Sequence, residues 1–184
     1  MVDVEEYLRK TSALLQGHFK LASGRHSARY IEKFRIMEDP AATTALCGMI
    51  AARYREAGIE VVVGPAMGGV ILAFETARQL GVRDIFTEKD ASGRHVIERG
   101  FQLRPGERAL VVDDVLTTGG SVRQALELVR ATGAEVAGVA FLIDRSGGAV
   151  DFGVPFFACH TMSIESYDPA SCPLCREGLA LVET

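Results

Sequence analysis

The sequence lacks an excess of positive charge and has no long uninterrupted hydrophobic run. Its 184 residues carry a formal net charge of −4, whereas nucleic-acid-binding proteins usually have a basic face and a high pI. The most apolar stretch, residues 61–74, is interrupted by Pro65 and three glycines, so it is too short and too broken to cross a membrane. The first residues include early acids and no basic region before an apolar core, so we expect no secretory signal. These absences predict a cytoplasmic protein that binds neither nucleic acid nor a membrane.

Cysteine is scarce, with four residues in the chain. A cytoplasmic protein would keep them reduced. Cys172-Pro-Leu-Cys175 has the spacing of half a zinc site, but the chain lacks a second pair with similar spacing. Cys159-His160, or another subunit, could complete the site only if folding or assembly brought it near. The sequence favours cysteines without a metal and leaves zinc as the alternative.

Strands that alternate with helices predict an α/β fold. Continuous apolar strands, each next to a helix, indicate a buried parallel sheet with helices on both faces. The length predicts one domain, residues 1–184, with a small N-terminal hood from about residues 1–38 and the C-terminal tail. We expect strands at 60–63, 109–112 and 136–143, helices at 3–15, 39–56, 70–80 and 121–132, a hairpin within 19–34, and a mobile loop or hairpin at 85–99.

Two acids and a run of small, hydroxylated residues follow the strand at 109–112. Burying Asp113 and Asp114 together is costly unless hydroxyls, a metal or cations accompany them. Residues 117–121, Thr-Thr-Gly-Gly-Ser, precede the next helix, where free N–H groups and the helix dipole favour an anion. The spacing suits a ribose 5-phosphate, with its hydroxyls at the acids and its phosphate at residues 117–121. The alternative, a strand end followed by a simple helix cap, does not require two acids and this loop.

A basic island interrupts the acidic chain. Residues 18–35 contain five basic residues and one acid. This island is a candidate anion site, and a solvated charged face is the alternative.

Residues 111–121 resemble the phosphoribosyl pyrophosphate (PRPP) motif of the type I phosphoribosyltransferases. Flanking segments are similar to those of the orotate phosphoribosyltransferases in particular, so the resemblance covers nearly the whole chain. These segments are residues 17–27, Tyr30-Ile31, Glu88-Lys89-Asp90, residues 98–101, Asp144-Arg145, residues 152–155 and residues 172–178.

The resemblance implies the type I phosphoribosyltransferase fold and a pentosyltransferase activity (EC 2.4.2.10) in de novo pyrimidine (UMP) biosynthesis. Orotate attacks C1′ of PRPP and gives orotidine 5′-monophosphate and diphosphate, with Mg²⁺ held mainly through PRPP. The resemblance also implies a homodimer in which Lys89 reaches the diphosphate in the neighbouring subunit's site.

By position, the resemblance also implies roles for individual residues. Lys89, Asp113 and Asp114 are the implied catalytic residues, and the two acids hold the ribose hydroxyls or the Mg²⁺ shell. The remaining implied PRPP contacts are Val115, Leu116, Thr117, Thr118, Gly119, Gly120 and Ser121, the orotate contacts are Thr117, Arg145, Ser23 and Tyr30, and the pyrophosphate loop is Ala66, Met67, Gly68 and Gly69.

Three positions depart from the family pattern. Ala22 and Glu88 stand where many members have a basic residue, and Gly68 stands where they have a lysine. We hypothesise that Lys20 or Arg25 replaces the missing base at Ala22.

Other functions have less support. A purine or xanthine transferase lacks support from the N-terminal segment. A PRPP-sensing regulator that binds nucleic acid would need a basic face or an added DNA-binding domain. A non-catalytic paralogue would not require the intact acid pair.

Overall fold

The computed structural model describes residues 3–184 and begins with a helix and a hairpin. Helix α1 spans Val4–Lys10, and strands β1 and β2 span Leu14–Lys20 and His26–Ile31. The prediction of one helix as far as Leu15 was wrong, because Leu14 and Leu15 pair with Ile31 and Tyr30 across the antiparallel hairpin. A short apolar run can belong to either a helix or a strand, and here the pairing partner decides.

A six-stranded sheet forms the centre of the fold. Its strands are β3 (Val61–Pro65), β4 (Arg83–Lys89), β5 (His95–Val96), β6 (Arg108–Leu116), β7 (Glu135–Asp144) and β8 (Phe156–Thr161). Their order is β5-β4-β3-β6-β7-β8, and all neighbours are parallel except β4 and β5. The three strands expected from the sequence are present, and the parallel sheet is confirmed.

Residues 85–99 were predicted as a mobile loop or a hairpin, and the hairpin is present, because β5 folds back antiparallel against the end of β4. The place of β4 in the central sheet beside β3 was not predicted. Ile85 and Thr87 are buried, whereas Arg83 and Lys89 are exposed. The alternation is short and rich in charge, which hid the strand in the sequence.

Helices cover both faces of the sheet, as predicted. They are α2 (Phe34–Met37), α3 (Pro40–Tyr54), α4 (Gly68–Leu80) and α5 (Gly120–Ala131). Val62 packs in one buried cluster with Leu46 of α3 and Leu72 of α4. Val63 packs in the other with Leu126 of α5. Successive residues of a strand face opposite sides of a sheet, so the apolar side chains of β3 contribute to both hydrophobic clusters. No helix within residues 3–184 is long and apolar enough to cross a membrane.

The C-terminal tail returns to the N-terminal hairpin. It contains a 3₁₀ turn (Pro169–Ser171), helix α6 (Pro173–Arg176) and strand β9 (Val182–Glu183). Strand β9 runs parallel to β1 in a separate three-stranded sheet of order β2-β1-β9. We call this small sheet together with the tail, residues 162–184, the hood.

Candidate active site

The two acids lie at the end of β6 and are part of the strand. The predicted end of this strand at residue 112 was too early, because Asp113 pairs with Phe141 and Val115 pairs with Ile143 in the ladder to β7. Neighbouring side chains leave a strand on opposite sides. The sheet therefore fixes the directions of the Asp113 and Asp114 carboxylates before any ligand binds.

Asp114 is buried and forms an ion pair. Lys33 Nζ lies 2.7 Å from Asp114 Oδ2, with the Asp114 side chain 4% exposed and that of Lys33 35% exposed. The other carboxylate oxygen, Oδ1, accepts the N–H of Val115 at 2.6 Å. The sequence placed Lys33 in the basic island but gave it no role. Its position in that island, shortly after Tyr30, was the only signal in the sequence.

Asp113 has a perturbed proton affinity. Burial and the neighbouring charge of Asp114 raise the pKa of Asp113 to about 7, against the opposing effects of the Asp114 N–H and of Lys33. Removing a carboxylate from water disfavours its charged form, and a second carboxylate adds repulsion. This pair is therefore prepared for hydroxyl donors or for a cation.

The start of α5 forms a cradle next to Asp113. The residue before its first turn, Gly119, has φ +77° and offers no side chain to cap the helix. The N–H groups of the first turn are thus left for an anion. A Cβ at Gly119 would approach the Phe152 ring to 3.0 Å, so glycine is required there for its space as well as its φ. The cavity of about 180 Å³ at this place is lined by Asp113, Val115, Thr117, Thr118, Gly119, Gly120, Ser121, Val122 and Phe141.

Arg145 brings a cation to the same edge of the sheet. Its N–H donates to the Leu116 carbonyl at 2.8 Å, which places the end of β7 beside the end of β6. Its Nε is buried and has no hydrogen-bond partner within residues 3–184. Burial lowers the pKa of Arg145, and Tyr30 partly opposes this effect. Because the donor is buried and unused, an anionic ligand would supply the acceptor it lacks.

The pyrophosphate loop lies against the acid pair. Gly68 and Gly69 form the first turn of α4, so the predicted start at Val70 was too late. A Cβ on Gly68 would collide with the Asp114 carboxylate. Glycine therefore leaves room for the Asp114 carboxylate at the position where many family members have lysine.

The remaining implied residues lie farther from the acids. Lys89 is exposed at the end of β4, opposite His95, and β3 separates β4 from β6. Ser23 lies in the exposed turn of the hood, where its hydroxyl accepts the N–H of Arg25 at 3.4 Å. The structure thus groups Asp113, Asp114, the cradle, Arg145 and Tyr30 and leaves Lys89 and Ser23 apart from them, and the roles of all these residues stay predictions.

Glu88, one departure from the family pattern, has a local partner, and so have the two residues proposed to replace the base at Ala22. Glu88 accepts two hydrogen bonds from Arg99, at 2.7 and 2.8 Å. This pair links the end of β4 to the segment that follows β5. Lys20 pairs with Glu183 at 2.8 Å, and Arg25 donates to Ser166. Both hypothesised replacements for the base at Ala22 therefore hold the tail here.

Comparison with known proteins agrees with this geometry. The phosphoribosyl transferase domain family matches residues 35–161. An orotate phosphoribosyltransferase from Desulforamulus reducens is 46% identical over 98% of this chain and 94% of its own length, and one from Pelotomaculum thermopropionicum is 49% identical over 98% and 95%. The crystal structure of the Aeropyrum pernix orotate phosphoribosyltransferase superposes with a TM-score of 0.76 at 29% identity, covering 87% of this chain and 94% of that one. The acid pair, the glycine cradle and this similarity along nearly the whole sequence together place the chain in the orotate phosphoribosyltransferase family.

Proposed function

We propose that this protein transfers the 5-phosphoribosyl group of PRPP to orotate, giving orotidine 5′-monophosphate and diphosphate for pyrimidine synthesis. One observation carries the proposal. The acid pair ends a strand between a helix N-terminus without a side-chain cap and a donor of Arg145 that has no partner among residues 3–184. These three features match, in order, the ribose hydroxyls, the 5-phosphate and the anionic base.

The 5-phosphate would bind at the start of α5. The N–H groups of Gly120 and Ser121 stand at the positive end of a 12-residue helix, where a dianion is favoured without a compensating lysine. The hydroxyls of Thr117 and Thr118 line the same cavity and would donate to the remaining phosphate oxygens.

Asp113 and Asp114 would accept hydrogen bonds from the ribose hydroxyls. Two adjacent, largely buried carboxylates, of which Asp114 pairs with Lys33, also suit the oxygen-ligand chemistry of Mg²⁺. When bound with PRPP, Mg²⁺ would neutralise charge on the diphosphate leaving group. The protein's own part is to hold the ribose so that C1′ faces the base.

Orotate would bind at the end of β7. Its carboxylate matches the buried Nε of Arg145, because a charge-assisted hydrogen bond satisfies both groups. Tyr30 acts to raise the pKa of both Arg145 and Lys33, so its hydroxyl lies at this side of the site. Thr117 follows the last residue of β6 and would contact the base from the strand edge.

The reaction needs no protein nucleophile. Positive charge develops at C1′ as the bond to the diphosphate breaks, and a nitrogen of orotate forms the new bond to C1′. Preorganised charge and orientation therefore provide the catalysis. Lys89, exposed on the β4–β5 hairpin, would neutralise the diphosphate of a neighbouring subunit and help exclude water when the hairpin closes.

We further propose that the partner subunit is a second copy of this chain, docked on α4. Met67, Ile71 and Phe74 are 74%, 41% and 58% exposed and follow one helical stripe at spacings of four and three residues. Large apolar side chains clustered on a surface mark an interaction site. The stripe starts at the pyrophosphate loop, so a copy bound there adjoins the active site. A cytoplasmic location remains an expectation.

The decisive experiment follows the absorbance of orotate with PRPP and Mg²⁺. We expect absorbance loss that depends on both PRPP and enzyme and that stops with Asp113→Asn. Turnover of adenine, hypoxanthine or xanthine without turnover of orotate would sink the proposal and assign a purine transferase instead.

A further inference from the structure

Four metal-binding side chains converge in the hood, away from the acid pair. His18 lies on β1, His26 on β2, Cys172 just before α6 and Cys175 within it. One ligand atom from each lies within 4.8 Å of all the others. The first three side chains are buried and Cys175 is exposed at the rim.

The separations resemble those around one tetrahedral ion. His18 Nε2 lies 3.0 Å from His26 Nδ1 and 3.7 Å from each cysteine Sγ. Cys175 Sγ lies 3.2 Å from His26 Nδ1. A tetrahedral zinc with its usual bond lengths holds neighbouring nitrogen and sulfur ligands roughly 3.3–3.8 Å apart. Each of these four separations is within a few tenths of an ångström of such a value, and the two remaining separations are at most 4.8 Å.

A second interaction orients one imidazole for this purpose. His18 Nδ1 lies 2.8 Å from the Leu179 carbonyl, an oxygen that can only accept. The proton is thus on Nδ1, and the lone pair of Nε2 faces the cluster. Metal-binding histidines commonly donate their other N–H to a carbonyl in this way.

Hydrogen bonds alone satisfy this arrangement poorly. If His26 Nδ1 carries a proton, it can donate that proton to His18 Nε2 or to Cys175 Sγ. Whichever atom does not receive this hydrogen bond is then left without a strong donor. Thiols are weak donors. A divalent cation accepts all four lone pairs at once, so we propose that His18, His26, Cys172 and Cys175 bind Zn²⁺ as a structural site.

The end of the tail has little buried apolar surface. The apolar tail residues Leu179, Leu181 and Val182 are 48%, 41% and 50% exposed, so they contribute little to a core. Small modules with so little buried surface are commonly stabilised by a metal. The zinc would attach the tail to the β1–β2 hairpin, which carries Tyr30. The site is independent of the proposed transferase reaction.

The cluster also corrects the sequence interpretation. The sequence favoured cysteines without a metal, with Cys159-His160 as the alternative completion. Cys159 instead donates to the Leu46 carbonyl in the main core. The two histidines of the hairpin supply the second half of the site.

Metal analysis of untagged protein, expressed with added zinc, tests the proposal directly. We expect about one Zn²⁺ per chain in the wild type and less than about one-tenth of that in Cys172→Ser and Cys175→Ser. Cys159→Ser is the matched control and should keep its zinc. Chelated protein titrated with Co²⁺ should show the visible bands of a tetrahedral ion with thiolate ligands.

A second measurement needs no variant, in case the serine variants fail to fold. Chelation should lower the Tm of the wild type by at least about 5 °C, and Zn²⁺ should restore it. Wild-type protein that contains no zinc after zinc-supplemented expression, and whose Tm does not respond to added Zn²⁺, overturns the proposal. A reversible Cys172–Cys175 disulfide in protein that binds neither Zn²⁺ nor Co²⁺ also overturns it, and assigns a redox role.

Discussion

Lys33 Nζ lies 2.7 Å from Asp114 Oδ2, while the next carboxylate, Asp113, has its pKa raised to about 7. Lys33 thus balances half of the charge of the acid pair. Its positive charge also lowers the pKa of Asp113 below the value that burial and Asp114 would otherwise give. The cation therefore lowers the pH at which the pair is fully ionised.

Lys33→Ala should move the acidic limb of the activity profile to higher pH. Without the cation, Asp113 holds its proton more tightly, and kcat/KM for PRPP at pH 7 should fall about tenfold or more. Lys10→Ala removes an exposed lysine that pairs with Glu6 on α1 and serves as the control. An unchanged pH profile in Lys33→Ala would contradict a role in tuning the acid pair.

Binding of Mg²⁺ and PRPP should release protons near neutral pH. Asp113 is partly protonated there, and both ribose hydroxyls and Mg²⁺ favour its ionised form, so affinity should rise as the pH increases through about 7. Calorimetry in two buffers of different ionisation enthalpy measures the release, which should approach one proton per site below pH 7.

Asp113→Asn is the control for this proton release. The amide cannot titrate, so the variant should bind more weakly and release at most a small fraction of a proton. If the variant still released a full proton, the proton would have to come from a group other than Asp113.

Arg145→Ala should weaken orotate binding selectively. Losing a charge-assisted hydrogen bond costs about 1.5–3 kcal/mol, so KM for orotate should rise roughly 10- to 100-fold, with a much smaller change in the affinity for PRPP. Arg53→Ala, in an exposed arginine at the far end of α3, should change neither. Equal losses for both substrates would indicate a general structural role for Arg145.

Mixed dimers test whether Lys89 acts across the subunit interface. Lys89→Ala and Asp113→Asn should each be nearly inactive alone. After subunit exchange, about half of the dimers are mixed. Each mixed dimer then has one site with intact acids and an intact partner lysine, so about a quarter of wild-type activity should return.

The mixed-dimer result depends on the direction of the contact. If Lys89 served its own subunit's site, no mixed dimer would contain a complete site and activity would stay near zero.

Phe74→Glu, placed on the exposed stripe of α4, should yield monomers by analytical ultracentrifugation. Dimers that persist in this variant would place the interface elsewhere.

The sequence by itself determined the features that depend on neighbouring residues. The apolar strand, the two acids and the run from Thr117 to Ser121 lie within a few positions of one another. Their chemistry follows from local backbone geometry and the helix N-terminus. The same local reasoning failed at Leu14 and Leu15 and did not place β4 in the central sheet, because a short segment joins a sheet only when a distant partner pairs with it.

Only the tertiary structure decided the contacts between distant segments. It set Lys33 against Asp114, excluded a side chain at Gly68, and brought Cys172 to His18 across 154 positions of the chain. No local pattern fixes which segments meet, because strand order and the return of the tail result from burying both faces of the sheet at once. The glycine cradle at the start of α5 was therefore predictable from the sequence, whereas the pairing of Lys33 with Asp114 and the cluster of histidines and cysteines in the hood were not.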